Sequence, residues 1–416
     1  MRIVYLNPSG RMGGAEVALL ANLASLRRAQ PVWELRLIAS EDGTLAEKAR
    51  ALGVATRVLP FPVSIARLGD AGAGGPAGIN GGRLRLLSRL LLANGDIRKY
   101  LEQLRLLLLE IDADLIHSNG LKMHILAALA KPADVPLIWH IHDYVSARPL
   151  MARLIRRFQD RCSLAVTNSD SVKADLENVC GKRLQIETIY NRIDTNEFSP
   201  DGAQLDLDML AGLTNAGDET IRVGLLATFA RWKGHEVFLK ALSLIPRSFN
   251  VRGYLIGDAL YQTGGSQYSL DELKKLARKF QVEDRVGFTG FVADANAAIR
   301  ALDIVVHAST QPEPFGLVII EGMSCGKPVI VSAAGGATEL IDDGVNALTH
   351  EPGNAGELAE RIMQLAGDVG LRQRLGDAGR ASVEKRFDNN RTPAELVELY
   401  DAQFLAEIAT TSAAAI

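Results

Sequence analysis

The chain has 416 residues, 47% of them hydrophobic and 23% charged, which is typical of a soluble globular protein and predicts two domains of about 200 residues each. The net charge of −3 combines +7 over residues 1–190 with −10 over residues 191–416. No apolar run reaches 18 residues, which argues against a transmembrane helix, and residues 1–7 read as a short buried strand rather than a signal peptide. The three cysteines lack metal-ligand spacing and leave one unpaired, which argues against a disulfide scaffold and favours a reducing cytoplasm.

The basic first half predicts an anionic partner, either a membrane surface or a diphosphate-bearing acceptor. Simple variation of composition between domains would explain the same asymmetry. Basic patches with interleaved aromatic residues and known nucleic-acid modules are missing from the sequence, which argues against nucleic acid.

Short apolar runs alternate with helical periods along the whole chain. The predicted strands are 2–7, 35–39, 56–59, 115–117, 137–142 and 164–168 in the first half, and 222–227, 251–256, 286–289, 304–307 and 328–331 in the second. A helix is predicted after most of them, beginning with residues 15–28. This alternation predicts an α/β fold of two doubly wound domains, with ligands at the carboxyl ends of the strands.

A glycine-rich turn joins the first strand to the first helix. Residues 7–16 read Asn-Pro-Ser-Gly-Arg-Met-Gly-Gly-Ala-Glu, and Gly13 and Gly14 would let a substrate approach the backbone at the amide end of the helix. The spacing differs from the Gly-x-Gly-x-x-Gly pattern of dinucleotide dehydrogenases, which weakens an oxidoreductase hypothesis. Tight packing of strand on helix would also explain the glycines.

One low-complexity segment interrupts the first half. Its fourteen residues, 69–82, include seven glycines, which predicts a flexible loop. A basic amphipathic stretch follows at 83–92, and a similar one occurs at 151–158. Such stretches can lie on anionic membranes, but they are more often surface helices whose apolar stripe packs on the core.

Histidines gather at the end of a predicted strand. Residues 137–143 read Leu-Ile-Trp-His-Ile-His-Asp, so His140 and His142 share one face, and His117 ends the preceding strand. No fixed spacing links His117 to the pair, so metal binding is not favoured. For His140 we predict a half-buried histidine with satisfied nitrogens. Ser169 is predicted to cap the helix that follows the next strand.

In the second half, a strand leads into a basic turn. Residues 224–236 read Gly-Leu-Leu-Ala-Thr-Phe-Ala-Arg-Trp-Lys-Gly-His-Glu, and a helix is predicted to open near Gly234. Arg231 and Lys233 would bring two positive charges to the cleft, suited to a diphosphate leaving group. A solvated charge cluster at a helix start is the alternative.

Two glutamates flank a Pro-Phe-Gly turn in the most informative stretch of the chain. Residues 311–321 read Gln-Pro-Glu-Pro-Phe-Gly-Leu-Val-Ile-Ile-Glu. Pro314 is predicted in the first turn of a helix, with the backbone amides of Phe315, Gly316 and Leu317 forming an anion site. Glu313 before the helix and Glu321 inside it would then lie toward the two ends of an elongated nucleotide-diphosphate-sugar. An ordinary acidic helix start would give the same pair of carboxylates.

Together with Gly-Lys-Pro at 326–328 and the glycine pair at 335–336, this stretch resembles the Glu-x7-Glu motif of retaining GT-B glycosyltransferases of family four, the group 1 enzymes. The resemblance implies two doubly wound Rossmann-like domains facing a central cleft. The first, 1–190, would bind the acceptor, with a last helix at about 393–408 packing back on it. The second, 191–392, would bind the nucleotide-sugar, and the join would lie near 189–200.

The resemblance also implies roles on the first domain and at the diphosphate. The Gly-Gly-Ala-Glu loop with Gly13 and Gly14 would lie beside the transferred sugar, and His142 would hydrogen-bond the sugar or diphosphate near the reacting carbon. The family's usual arginine is replaced by Thr228. Lys233 matches the family pattern, whereas Arg231 stands two residues before it as a substitute for that arginine.

For the donor, the resemblance places sugar hydroxyls at Glu313, ribose hydroxyls at Glu321 and the diphosphate at Phe315, Gly316 and Leu317. Three further residues would border the nucleotide: Gly257, which leaves backbone space, and Phe291 and Val292, which flank the base.

The expected function is transfer of a sugar from a nucleotide-diphosphate-sugar, with UDP chosen on general frequency, to a hydroxyl of a glycan or lipid-linked acceptor with retention of configuration. No metal or other cofactor is expected, and the expected location is the cytoplasm or the inner face of an anionic membrane. Two alternatives stay open: a sugar-nucleotide epimerase of the same fold, and a non-catalytic protein that binds sugar nucleotides.

Overall fold

The structure, a computed structural model, describes residues 1–62, 82–259, 265–389 and 394–414. The chain divides into two compact units. Unit 1 consists of Met1–Arg192 together with Asn389–Ile416, and unit 2 of Ile193–Asp388. The loop predicted at 69–82 lies, except for its last residue, outside the described residues.

Unit 1 contains a seven-stranded parallel sheet in the order β3-β2-β1-β4-β5-β6-β7. Its strands are β1 Arg2–Asn7, β2 Glu34–Ala39, β3 Ala55–Val58, β4 Leu115–Asn119, β5 Leu137–Ile141, β6 Leu164–Thr167 and β7 Ile186–Thr188. Its helices are α1 Gly14–Ala29, α2 Thr44–Ala51, α3 Gly82–Ile111, α4 Leu121–Ala130, α5 Pro149–Phe158, α6 Asp170–Cys180 and the C-terminal helix Ala394–Ala414. Ser169 caps α6 as predicted, because its hydroxyl accepts a hydrogen bond from the Val172 amide at 3.1 Å.

The central strands of unit 1 are buried on both faces, which explains their continuous apolar sequences. One core layer includes Leu104 and Leu108 of α3, and the other includes Leu23 of α1 and Tyr400 of the C-terminal helix. The C-terminal helix is therefore part of the second core layer of this unit.

Unit 2 contains a six-stranded parallel sheet in the order β10-β9-β8-β11-β12-β13. Its strands are β8 Ile221–Leu226, β9 Val251–Ile256, β10 Val286–Gly290, β11 Ile304–His307, β12 Val329–Ser332 and β13 Leu348–His350. Its helices are α7 Leu207–Leu210, α8 His235–Leu244, α9 Leu270–Lys279, α10 Ala295–Arg300, α11 Leu317–Ser324, α12 Ala355–Gly367 and α13 Val369–Arg386, with short 3₁₀ turns at Arg231–Lys233 and Gly336–Leu340.

The predicted α/β class with two doubly wound sheets is confirmed. Every predicted strand is present with ends that shift by at most two residues, whereas β7 and β13 were not predicted. Each of the two is a three-residue strand at a sheet edge, too short to give a clear period.

The topology marks one ligand position in each unit. Strand order reverses between β1 and β4 in unit 1 and between β8 and β11 in unit 2. Ligands of open parallel sheets bind beyond the carboxyl ends of the strands at such switch points. The loops that leave β8 and β11 carry Lys233 and Glu313, and the loop that leaves β1 carries Gly13.

Basic helix α5 packs on the core of unit 1. Ile155 is fully buried, while Arg153, Arg156 and Arg157 face solvent and Leu150 is 45% exposed. Among the described residues, none of the helices combines the length and the apolar character that crossing a bilayer requires.

Candidate functional site

The centre of the unit 2 site is an ion pair at the switch point. Lys233 Nζ donates to both carboxylate oxygens of Glu313, at 2.9 Å to Oε1 and 2.8 Å to Oε2. The Lys233 side chain is 22% exposed and that of Glu313 is 7% exposed, so the cation faces outward from a buried anion. The two residues are 80 positions apart, and only the parallel pairing of β8 with β11 brings their loops together.

Glycine is required where these loops cross. Gly234 has φ +79°, and a Cβ added there would lie 1.8 Å from the carbonyl oxygen of Ala308. This close approach lets the turn carrying Lys233 lie directly against the end of β11. Gly257 has φ +141°, and its Cβ would lie 2.1 Å from the carbonyl oxygen of Ala227, so glycine is required here by the protein's own backbone.

Two buried residues that the sequence analysis missed hold the carboxylate of Glu313. Ser309 Oγ lies 2.7 Å and His307 Nε2 lies 3.1 Å from Oε2. Burial would raise the pKa of Glu313, but the charge of Lys233 and the hydrogen bond from His307 outweigh it and bring the pKa well below its usual range. Glu313 is therefore an ionised hydrogen-bond acceptor. The sequence signal that could have identified His307 and Ser309 is a pair of polar residues, two positions apart, at the end of an apolar strand.

The segment after Glu313 differs from the prediction. Pro314 is not in a helix, because α11 begins at Leu317 with Gly316 as its N-cap. Gly316 has φ +98° and ψ +65°, a left-handed conformation that interrupts the backbone between Pro314 and the helix. Leu317 thus supplies the first helical amide, while Phe315 and Gly316 form the turn before it. The Phe315 ring is buried against Phe387, with ring centroids 6.1 Å apart.

Glu321 lies within α11, as predicted, but in a different environment from Glu313. Burial, reinforced by the charge of Glu197, raises the pKa of Glu321 to about 7. Its carboxylate has no hydrogen-bond or ion-pair partner within the described part of the chain. A half-buried carboxylate of this kind is available to a ligand hydroxyl.

Arg231 is not brought together with the Lys233–Glu313 pair. Its Nη2 donates to Glu272 Oε1 at 2.6 Å, its Nε donates to the Gly265 carbonyl at 2.9 Å, and its guanidinium lies 4.3 Å from the Tyr268 ring centroid. Arg231 therefore contacts the first turn of α9 and the segment just before it. Thr228, at the place of the family arginine, accepts a backbone hydrogen bond from Ala230 at 2.7 Å.

Phe291 and Val292 directly follow β10, and the Phe291 side chain is 63% exposed. An exposed aromatic ring at the carboxyl end of a strand can stack on a planar ligand.

In unit 1, the glycine turn leads into α1, and the Glu16 carboxyl group binds the backbone of the turn. Gly13 is the N-cap and Gly14 the first helical residue. The Gly13 amide donates to Glu16 Oε2 at 3.1 Å, and Asn7 Nδ2 donates to Glu16 Oε1 at 3.1 Å. Burial raises the pKa of Glu16, although these two hydrogen bonds oppose the rise. The Gly13 amide is therefore occupied by Glu16 in this structure.

Three histidines of unit 1, His117, His140 and His142, lie with their rings in close contact and are uncharged at pH 7. The rings of His140 and His142 have centroids 4.1 Å apart, and His142 Nε2 lies 3.2 Å from Asn119 Oδ1 at the end of β4. Burial lowers the pKa of His142 to about 4, so its imidazole is neutral at pH 7. His140 corrects our prediction: it is 2% exposed rather than half-buried, and neither ring nitrogen has a partner among the residues described.

His117 lies beside this pair and is tied to the C-terminal helix. Its ring centroid is 5.2 Å from that of His140, and its Nδ1 shares a 2.7 Å hydrogen bond with the Tyr400 hydroxyl. Within the described ranges, no three His, Cys, Asp or Glu side chains are arranged to hold a metal ion.

Comparison with known proteins gives two family matches. The Glycosyltransferase Family 4 model matches residues 12–197, and the Glycosyl transferases group 1 model matches residues 214–382. Among solved structures, HepE of Anabaena in complex with UDP-glucose is 27% identical, with a TM-score of 0.76 over 97% of this chain and 100% of HepE. Sucrose-phosphate synthase of Thermosynechococcus elongatus has a TM-score of 0.75 over 98% of this chain and 100% of its own; at 20% identity, this likeness shows the fold alone.

Curated relatives match over a shorter part of their length. N-acetyl-alpha-D-glucosaminyl L-malate synthase of Bacillus anthracis is 26% identical over 253 residues, which are 61% of this chain and 63% of that protein. A GDP-mannose-dependent alpha-(1-6)-phosphatidylinositol monomannoside mannosyltransferase of Mycobacterium tuberculosis is 28% identical over 282 residues, 65% of this chain and 70% of that one.

Two doubly wound units, each with a polar site at its switch point, define a fold of the GT-B class. With both units matched by family models, the chain belongs to the glycosyl transferases group 1, of the family 4 type.

Proposed function

We propose that this protein is a retaining glycosyltransferase that moves a sugar from a nucleotide-diphosphate-sugar, with UDP as the carrier, to a hydroxyl of a glycan or lipid-linked acceptor. The observation that carries the proposal is the ion pair between the partly exposed Lys233 and the buried Glu313 at the switch point of unit 2, with Glu321 inside the short helix α11 that follows. In this arrangement Lys233 would bind the diphosphate, Glu313 would lie toward the sugar and Glu321 toward the ribose.

The proposed chemistry assigns charge stabilisation to unit 2. The Lys233 ammonium and the amide of Leu317 at the start of α11 would stabilise the negative charge that grows on the departing diphosphate. Glu313 would accept a hydrogen bond from a sugar hydroxyl rather than act as a nucleophile, because Lys233, Ser309 and His307 already bind its oxygens. Glu321 would accept a hydrogen bond from the ribose.

In unit 1, the neutral His142 would hydrogen-bond the sugar or diphosphate near the reacting carbon. The carboxylates close to it are engaged elsewhere: Glu16 caps α1, and Asp143 accepts from Arg148 at 2.9 Å. A front-face, ion-pair-like substitution that retains configuration therefore suits these residues better than a mechanism with two carboxylates.

The nucleotide carrier needs a direct test. HepE was solved with UDP-glucose, whereas the M. tuberculosis relative is named as GDP-mannose-dependent. The purified protein would be titrated without metal by calorimetry and thermal shift with UDP, GDP, ADP and their common sugar conjugates. We expect a UDP-specific response that is lost in Lys233→Met and weakened in Glu321→Gln. Lys279→Met, on an exposed lysine of the same unit, is the control.

The same experiment separates the alternatives once a donor is found. Transfer to an acceptor with the anomeric configuration kept, followed by NMR, supports the proposal. Isomerised donor in the absence of any acceptor would indicate an epimerase, and binding without nucleotide release would indicate a non-catalytic protein. No binding of any carrier by a folded protein would overturn the proposed donor class.

Helix α5 supports a further part of the proposal, contact with an anionic membrane that presents a lipid-linked acceptor. Its exposed arginines, Arg153, Arg156 and Arg157, lie beside the exposed Leu150. Co-sedimentation with vesicles containing 30% anionic lipid tests this contact. Binding should fall with added salt and in a triple Arg→Gln variant, and equal binding to neutral vesicles would contradict it.

A further inference from the structure

We propose that Ser309 and His307 are positioning residues that hold the carboxylate of Glu313 in one orientation for the sugar part of the donor. This inference rests on the proposed function, because it concerns the same donor site. It adds Ser309 and His307 to the donor site, and it relates them to the sugar part of the donor rather than to the nucleotide.

The hydrogen bonds around Glu313 converge on one of its oxygens. Oε2 lies 2.8 Å from Lys233 Nζ, 2.7 Å from Ser309 Oγ and 3.1 Å from His307 Nε2. Ser309 and His307 are also in contact with each other, at 3.0 Å between Oγ and Nε2. Three donors on one oxygen prevent rotation of the carboxylate about its terminal bond and keep it aligned with Lys233.

The protons on this group follow from the charge of Glu313. Because the carboxylate is ionised, it can only accept, so Ser309 donates its hydroxyl proton to Oε2 and His307 carries its proton on Nε2. Nδ1 of His307 has no partner among the described residues, so the Nε2 side of the ring makes its side-chain contacts with Glu313 and Ser309.

Both positioning residues are themselves fixed. Ser309 is 1% and His307 is 4% exposed, so water cannot replace either donor. The Ser332 hydroxyl donates to the Ser309 carbonyl at 2.6 Å, which holds the backbone at the end of β11. Removing one donor would loosen the orientation of the Glu313 carboxylate, which Lys233 and the other donor would still bind, and would weaken the contact between Glu313 and the ligand.

The test compares a nucleotide with its sugar conjugate. Calorimetry would measure Kd for UDP and UDP-glucose, and in a parallel arm for GDP and GDP-mannose, in the wild type, Ser309→Ala, His307→Phe and His307→Gln. We expect Ser309→Ala and His307→Phe to weaken the sugar conjugate by roughly tenfold, as for one charge-assisted hydrogen bond, and to leave the free nucleotide within about twofold. His307→Gln, which keeps an N–H donor, should recover part of the loss.

A deoxy-sugar series tests the mechanism of the effect. Against the UDP-deoxyglucose that lacks the hydroxyl bound by Glu313, Ser309→Ala should cause no further loss, because the interaction it supports is already gone. Ser243→Ala, an exposed serine on α8, is the matched control, and thermal melts show whether each variant is folded.

The outcomes separate the two proposals. If the wild type binds neither nucleotide pair, the proposed donor class fails. If the wild type binds its donor but the folded Ser309→Ala variant weakens nucleotide and sugar conjugate equally, or weakens neither, the positioning role is overturned.

Discussion

Two glutamates of one motif, Glu313 and Glu321, have opposite electrostatic environments. Glu313 accepts hydrogen bonds from a lysine, a serine and a histidine, and its pKa is held well below the usual range. Glu321 is half-buried near Glu197, no cationic side chain among the described residues pairs with its carboxylate, and its pKa is raised to about 7. The spacing of eight predicts two carboxylates but not their charge, because Lys233, Ser309 and Glu197 are placed by the fold.

Replacement of Glu321 should stabilise the protein while it weakens donor binding. A carboxyl pKa raised from 4.5 to about 7 in the native state means that stability falls as pH rises through this interval. Glu321→Gln should therefore raise Tm by a few degrees at pH 8 and leave it unchanged below pH 4.5. Calorimetric scans at both pH values check this, with the exposed Glu360→Gln as control. A gain of equal size at both pH values would contradict it.

Gly234 should tolerate alanine less well than Gly344, a glycine with a similar backbone conformation but open space around it. Gly234 and Gly344 have φ of +79° and +73°, but a Cβ at Gly344 would meet nothing within 4 Å, whereas at Gly234 it would collide with Ala308. Gly344→Ala should cost about 1–2 kcal/mol from backbone strain. Gly234→Ala should cost at least about 2 kcal/mol more through overpacking. Denaturant midpoints measure both, and equal costs would show that the close approach is not rigid.

At the scale of elements, the strands were the predictable part. Strands such as β1, β9 and β11 are short apolar runs buried on both faces, and their bounds agree with the prediction. The start of α11 was predicted three residues early, because Pro314 is favourable in a first helical turn but Gly316 adopts a left-handed conformation that ends the turn instead. A sequence pattern alone does not show which of two such local preferences is realised.

The C-terminal helix should depend on one buried hydroxyl. Tyr400 OH is 3.0 Å from Tyr5 OH and 2.7 Å from His117 Nδ1, all within the core of unit 1. Tyr400→Phe leaves both partners buried and unbonded, and should reduce the free energy of unfolding by about 1–3 kcal/mol. Chemical denaturation measures the loss.

Tyr100→Phe provides the control for that substitution. Tyr100 is equally buried in unit 1, but its hydroxyl has no partner in the part of the chain that the structure describes. Its removal should therefore be neutral or stabilising. A Tyr400→Phe variant as stable as Tyr100→Phe would show that the hydrogen bonds to Tyr5 and His117 contribute nothing.

At the scale of the whole molecule, the sequence predicted the class and topology better than the contacts within the sites. Lys233 and Glu313 were both named, because each stands in a recognisable local motif. Their ion pair, and the part of Ser309 in it, could not be predicted, since it depends on the strand order that places β8 beside β11. The contact of Arg231 with Glu272 could not be predicted either, and its predicted role at the diphosphate stays a prediction.

Histidines whose pKa is lowered by burial are unevenly divided between the two units. Burial lowers the pKa of His117 to about 3 and that of His142 to about 4, and it also lowers the pKa of His124 and His140, all in unit 1. In unit 2 the same holds for His235 and His350. Each of these groups is neutral in the native state but takes up a proton when unfolded below its ordinary pKa of 6.5. The unfolded chain therefore binds more protons, and stability is lost as pH falls below 6.5.

Unit 1 should consequently be the more acid-sensitive unit. Each histidine contributes up to about 1.4 kcal/mol per pH unit, so between pH 6.5 and 4.5 the four of unit 1 should lower its transition more steeply than the two of unit 2. In a Trp232→Phe variant the remaining tryptophans, Trp33 and Trp139, lie in unit 1 and report its unfolding, while calorimetry follows both units. His140→Leu removes one titrating group whose nitrogens have no described partner, and it should reduce the pH slope of unit 1 by about one proton. If the unfolding transitions of the two units shifted equally between pH 6.5 and 4.5, the prediction would be wrong, because proton uptake would then not follow the histidines of lowered pKa.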